Sequence, residues 1–203
     1  MIKQYIIALI LVISSASAEK ISVIKHNKYF DQEIIFYDHL NNKKFLEEYE
    51  GENILLVFWA SWCGTCVDEL PKLDNLQKDF RKLPFKIIAI SEDYKGVEAI
   101  SDYYARQEIR YLDIFYDQNN HLLTQMRIAG LPVAYLVNSK GKVKLEFKGR
   151  VKWEDNNIRE LLLSEMGGDY EIPKNSFKRR KFFENVYDDK IGSSSGVQNE
   201  NTK

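Results

Sequence analysis

Cysteine is nearly absent from this chain: Cys63 and Cys66 are the only two among 203 residues. Two cysteines so close together make a poor structural staple, because in the chain-entropy model a four-residue ring gains only ~2 kcal/mol, against ~4.7 kcal/mol for a loop of about a hundred residues. Histidine is scarce as well. His26, His39 and His121 stand singly and far apart, so a structural zinc site with four Cys or His ligands is not expected, and each histidine is assigned to the surface or a turn. The sequence implies no metal and no other cofactor. An excess of either charge is also lacking: 29 Lys and Arg oppose 30 Asp and Glu for a formal net charge of -1, which leaves no electrostatic case for a nucleic-acid partner. Beyond the first residues, no apolar stretch is long enough to cross a membrane.

Those first residues read as a targeting segment. Lys3 supplies a small positive region, Tyr5 to Ile13 is an apolar run, and Ala16-Ser17-Ala18 fits the small-x-small cleavage pattern. As a helix, the run from Ile2 to Ile13 spans only ~18 Å against a hydrocarbon core of ~30 Å. Cleavage after Ala18 and export are therefore expected in preference to a retained anchor. Three segments follow: a signal peptide over 1–18, one folded domain over 19–166 and a polar tail over 167–203. With 44% hydrophobic and 13% aromatic residues, the chain can fill one substantial core. In the tail, the basic-aromatic stretch Lys178 to Phe183 is read as a solvated segment that packs a few aromatics, and Gly192 to Lys203 as disordered.

Within the domain, Ile21 to Ile24 and Ile34 to Tyr37 suggest short strands, Asn41 to Lys44 a turn, and Phe45 to Tyr49 a helical turn. Asn53 to Ala60 is a continuous apolar run of strand length, as expected for a strand buried on both faces. Val67, Leu70, Leu73, Leu76 and Phe80 recur at steps of three and four, which predicts an amphipathic helix over 63–82 with a kink at Pro71. The pattern then predicts a buried strand over 85–90, a helix over 96–107, an extended piece over 112–116 and a short helix over 121–127. A strand over 133–137 follows, a turn at Asn138 to Gly141, a half-buried strand over 143–147 and a helix over 153–166. Strands alternating with helices and ending in a hairpin give an α/β fold with a central mixed β-sheet flanked by helices.

Both cysteines fall where the first buried strand runs into a helix, within Trp59-Ala60-Ser61-Trp62-Cys63-Gly64-Thr65-Cys66. A Cys-x-x-Cys at such a junction reads as a redox-active dithiol, because free N–H groups and the positive end of the helix dipole favour a thiolate on the first sulfur. Cys63 is then the nucleophile toward a disulfide. Cys66, one helical turn on, is the resolving thiol.

This motif, with Glu69-Leu70-Pro71 and with Gly130-Leu131-Pro132 ahead of a strand and a Ser-Lys-Gly hairpin, resembles the TlpA/ResA-like branch of the thioredoxin superfamily over about residues 30–165. The resemblance implies a thioredoxin fold and a redox-active Cys63–Cys66 disulfide. It implies an exported thiol-disulfide oxidoreductase that reduces protein disulfides in the periplasm, as in cytochrome c maturation or oxidase assembly. Its partners would be protein dithiols or disulfides and an upstream membrane thiol reductase. Glu69 matches the acidic residue beside the dithiol, placed to exchange a proton with Cys66. Val57 stands where thioredoxins proper carry a buried aspartate. Pro132 matches the cis-proline facing the dithiol, which leaves the backbone of Leu131 to pair with an extended peptide, and Trp62 borders that surface. The chain departs from the branch in two places. Gly64 and Thr65 lack both the histidine of strongly oxidising relatives and the proline of reductants, and Val133-Ala134-Tyr135 stands where Thr-Thr-Phe is frequent. Two other readings compete. A copper-binding assembly factor of the SCO kind uses Cys-x-x-x-Cys with a histidine, one residue longer than this motif. A thiol peroxidase uses a lone cysteine with a distant resolving partner.

Overall fold

The computed structural model describes residues 21–167. The expected signal peptide and most of the polar tail lie outside the described residues. Eight strands run in chain order as β1 (Ser22–Lys28), β2 (Ile35–Asp38), β3 (Lys43–Phe45), β4 (Asn53–Trp59), β5 (Phe85–Ser91), β6 (Phe115–Tyr116), β7 (Val133–Val137) and β8 (Val143–Lys148). Four helices accompany them: α1 (Gly64–Phe80), α2 (Gly96–Arg106), α3 (His121–Gln125) and α4 (Asn156–Met166). The strands form one mixed sheet in the order β1-β8-β7-β4-β5-β6-β2-β3. Parallel pairing joins β4 to β5 and β5 to β6; the other neighbours are antiparallel. This is the thioredoxin-like arrangement.

Every residue of β4 is buried. Its alternation sends Leu55, Val57 and Trp59 into one apolar cluster and Ile54, Leu56 and Phe58 into another, because successive side chains leave opposite faces of a sheet. The first cluster takes Leu70, Leu73, Leu76 and Phe80 of α1, Ile100, Tyr103 and Tyr104 of α2, and Ile158, Leu161 and Leu162 of α4. Cover on the second face is lighter, from Leu46 in a 3-10 turn over Leu46–Tyr49 and Leu122 of α3. Each fully buried leucine of β4 or α1 contributes about 1.5–3 kcal/mol of transfer free energy, so the end of β4 is a rigid platform. Cys63 leaves that platform four residues later.

α1 runs through Pro71 without a stop, as expected; the Val67 carbonyl, which Pro71 cannot serve, accepts a hydrogen bond from Tyr103 Oη of α2 at 2.9 Å. Several other local expectations shift, each for a visible reason. The stretch 112–116 pairs as strand only at Phe115–Tyr116, since the N–H of Leu112, with those of Arg110 and Tyr111, is taken by the buried Asp74 carboxylate of α1. α4 starts at Asn156 rather than Trp153 because Asp155 caps it, accepting from Asn157 N at 2.8 Å. The turn expected at Asn41–Lys44 lies earlier. Asp38 accepts from the backbone N–H groups of Leu40 and Asn42, and Lys43 is already paired with Tyr37 in the sheet. His26 is also corrected: it sits in β1, half-buried, with its ring Nε2 2.9 Å from Glu146 Oε2 of β8, whereas His39 and His121 are exposed.

Candidate active site

Cys63 is the N-cap of α1. Its backbone is extended (φ -91°, ψ 104°), and its N–H donates to the Ala60 carbonyl at 3.1 Å, closing a tight turn over Ala60–Cys63. The Cys63 Sγ accepts the backbone N–H of Cys66 at 3.2 Å. That donor is one of the N–H groups an α-helix leaves unpaired at its start, so the helix offers the sulfur a hydrogen bond and the positive end of its dipole. The structure holds the oxidised form, with a Cys63–Cys66 disulfide. Cys63 is half-buried, and Cys66, at 1% exposure, is enclosed by the core. An incoming sulfur therefore reaches Cys63 and not Cys66.

Trp62, just before Cys63, is 58% exposed. The Leu131-Pro132 peptide is cis and leads into β7, whose Val133 lies opposite Phe58 near the end of β4. Sheet pairing thus brings the Leu131–Pro132 segment and the dithiol turn to the same edge of the fold. Leu131 is half-buried and packs against both apolar clusters. Of the residues departing from the branch, Tyr135 points to the second face. There its Oη donates to Glu146 Oε1 at 3.1 Å.

Glu69 lies one turn after Cys66 and is 2% exposed. Both of its oxygens are engaged: Oε1 accepts from Val151 N at 2.7 Å and Oε2 from Trp153 Nε1 at 2.8 Å. Burial pushes the carboxyl up to about 7, even though those two hydrogen bonds favour the charged form. A carboxyl that titrates near neutrality gives and takes a proton with little driving force either way, as a proton-transfer group requires. Val57 is buried in the same apolar cluster as Cys66.

Two features of the site lie outside the residues singled out from the sequence. Asp93, just past β5 and 5% exposed, accepts from Ser61 N at 2.9 Å and Ser61 Oγ at 2.6 Å, and from Ser91 Oγ at 2.7 Å. Beside it, Glu92 is fully buried, with its carboxyl set against that of Asp117. Burial pushes this carboxyl far above its ordinary range, and repulsion from Asp117 and Asp93 adds to the effect. The signal for both was a pair of acids closing an apolar strand at the end of the sheet that carries the cysteines. Among the described residues, no group of three or more His, Cys, Asp or Glu is arranged to hold a metal ion.

The fold, the capped dithiol and the cis-proline segment define a thioredoxin-fold protein with a redox-competent cysteine pair. More particularly, the chain belongs to the Redoxin family, whose model matches residues 26–162. It is similar to the thiol-disulfide oxidoreductase ResA of Bacillus thuringiensis subsp. konkukian (strain 97-27), with 26% identity over 111 residues, covering 54% of this chain and 63% of that protein. ResA of Geobacillus kaustophilus (strain HTA426) is 25% identical over 125 residues, covering 61% of this chain and 70% of its own. The match to the Bacillus thuringiensis relative thus spans less than two thirds of that relative's length. Among solved structures, a putative thiol:disulfide interchange protein DsbE from Chlorobium tepidum shares the fold with a TM-score of 0.61 and 23% identity, over 72% of this chain and 100% of that one.

Proposed function

We propose that this protein is an exported thiol-disulfide oxidoreductase that reduces protein disulfides in the periplasm. Its clients would be cysteine pairs that must be reduced before binding haem or copper, as in cytochrome c maturation or oxidase assembly. One observation carries the reading: Cys63 caps α1 with the Cys66 N–H directed at its sulfur, while Cys66 itself is enclosed. The similarity to proteins named ResA supports the same chemistry.

In the reduced form, the Cys63 thiolate attacks one sulfur of a client disulfide. A mixed disulfide forms and the client's other sulfur leaves as a thiolate. Trp62 and the backbone of Leu131 beside Pro132 hold the client segment in extended form. Glu69 takes the proton from Cys66, whose thiolate then attacks Cys63 Sγ. The client's second thiolate is released and the Cys63–Cys66 disulfide closes, so two electrons have passed from protein to client. A membrane thiol reductase on the supply side must return the pair to the dithiol.

The test is the equilibrium of the Cys63/Cys66 pair with glutathione. A reduction potential below about -230 mV is expected for a reductant, and one near -120 mV would overturn the direction of electron flow. Failure of the purified dithiol form to reduce insulin would overturn the activity itself.

A further inference from the structure

The cysteine pair hangs from a turn whose geometry is fixed from a different strand. Ala60 and Cys63 close that turn through the Cys63 N–H. Ser61, inside it, is bound twice by one carboxylate: Asp93 Oδ2 accepts its N–H and Asp93 Oδ1 its hydroxyl. Asp93 is in turn fixed by Ser91 Oγ, which donates to Oδ2, and by its own N–H, which donates back to Ser91 Oγ at 3.2 Å. The parallel pairing of Trp59 with Ser91 sets this distance, because it brings the ends of β4 and β5 level. Asp93 is buried, and charge-assisted hydrogen bonds of this length are about twice as strong as neutral ones.

From this geometry we infer that Asp93 is a positioning residue for the redox reaction: through Ser61 it holds Cys63 at the N-cap of α1 and thereby sets how readily the Cys63 thiolate forms. Two effects share one sign. When Ser61 is held, Cys63 Sγ stays within reach of the Cys66 N–H, which favours the thiolate. When the Ser61 hydroxyl donates to the Asp93 carboxylate, it also offsets part of a buried negative charge that sits against the residue two positions before Cys63, and less opposing charge again favours the thiolate. Losing the hydroxyl removes the second effect and weakens the first, since only the Ser61 N–H then remains on Asp93.

The inference rests on the redox reading of Cys63 and Cys66, and wild-type exchange with glutathione tests that reading separately. For the clamp itself, the measurement is the Cys63 thiol pKa, taken from the pH dependence of alkylation in reduced full-length protein. In Ser61→Ala the pKa is expected to rise by about half a unit, or about threefold in thiolate fraction, with the glutathione equilibrium moving toward the disulfide, because the reduced form loses thiolate stabilisation. Ser61→Thr, which keeps the hydroxyl, is expected to restore the wild-type value. In an Asp93→Asn background, where the carboxylate is gone, Ser61→Ala is expected to move the pKa much less. An unchanged or lowered pKa in Ser61→Ala, or an equal shift with and without Asp93, would overturn the inference, including the case in which Ser61→Ala only lowers thermal stability.

Discussion

The phenol of Tyr103 donates to the carbonyl of Val67 at 2.9 Å, and Pro71 is the reason that carbonyl is free. A proline four residues on has no N–H to return, so a helix that would otherwise carry an orphan acceptor borrows a donor from α2. The active-site helix is thereby tied to a neighbouring helix by a bond that Pro71 makes necessary. Tyr103→Phe is expected to lower stability by about 1 kcal/mol in urea unfolding. In a Pro71→Ala background the cost is expected to shrink, because the new amide at position 71 takes the same carbonyl.

Cys66→Ser is expected to accumulate a mixed disulfide between Cys63 and a client protein, visible as adducts on non-reducing gels that reductant releases. On the proposed roles, the more accessible Cys63 sulfur would still attack, and the enclosed one that would resolve is gone. Cys63→Ser is expected to give none. Adducts in Cys63→Ser and not in Cys66→Ser would reverse the two roles.

Glu69 titrates near neutrality because burial disfavours its charge. Below about 7 the carboxyl holds its proton and cannot accept one from Cys66, so the rate of mixed-disulfide resolution is expected to rise as pH passes through about 7. Glu69→Gln is expected to slow that step by about a hundredfold and to erase the inflection, as stopped-flow pH profiles would read. The sign for stability is the opposite. The folded value lies above the ordinary 4.5, so the folded state binds the proton more tightly, and this group's contribution falls as pH climbs from about 4.5 through about 7.

Glu92 offers a purer stability test, because its carboxyl is fully buried beside the acidic Asp117 and Asp93. Its folded-state value is raised, so wild-type stability is expected to decline as pH rises from 4.5 toward about 9. Glu92→Gln, which cannot ionise, is expected to raise Tm at pH 8, with a gain on the order of 1 kcal/mol, and to match wild type near pH 4. A Tm difference that does not vary with pH would show that the carboxyl carries no buried charge.

The central elements were legible because their residues declare themselves locally. The apolar run of β4 and the three-and-four spacing of Leu70, Leu73 and Leu76 each admit one reading, and the Cys-x-x-Cys between them inherits its position from both. Less legible were the partners that side chains find across the fold. Glu69 carries no mark in its neighbourhood of an engagement with Val151 and Trp153, 82 and 84 residues on. Asp93 bonds Ser61 at a separation of 32 residues, which only the level pairing of β4 and β5 explains. The start of the last helix, at Trp153, misleads for a local reason instead. Its apolar character fits a helix start, and the Asp155 cap that excludes it competes at a distance of only two residues.

The cysteines stand three residues apart, while the other parts of the site arrive late in the chain: Leu131 and Pro132 with β7, Val151 and Trp153 after β8. During synthesis from the N-terminus, the cysteine pair emerges well before the cis-proline segment and before the residues that bind Glu69. With only two cysteines in this chain, its oxidation has a single intramolecular outcome, so a nascent molecule that meets an oxidant early carries the same bond as the finished one. A single possible pairing leaves nothing within this chain for an isomerase to reshuffle, whereas assembly of the rest of the site waits on closure of the sheet.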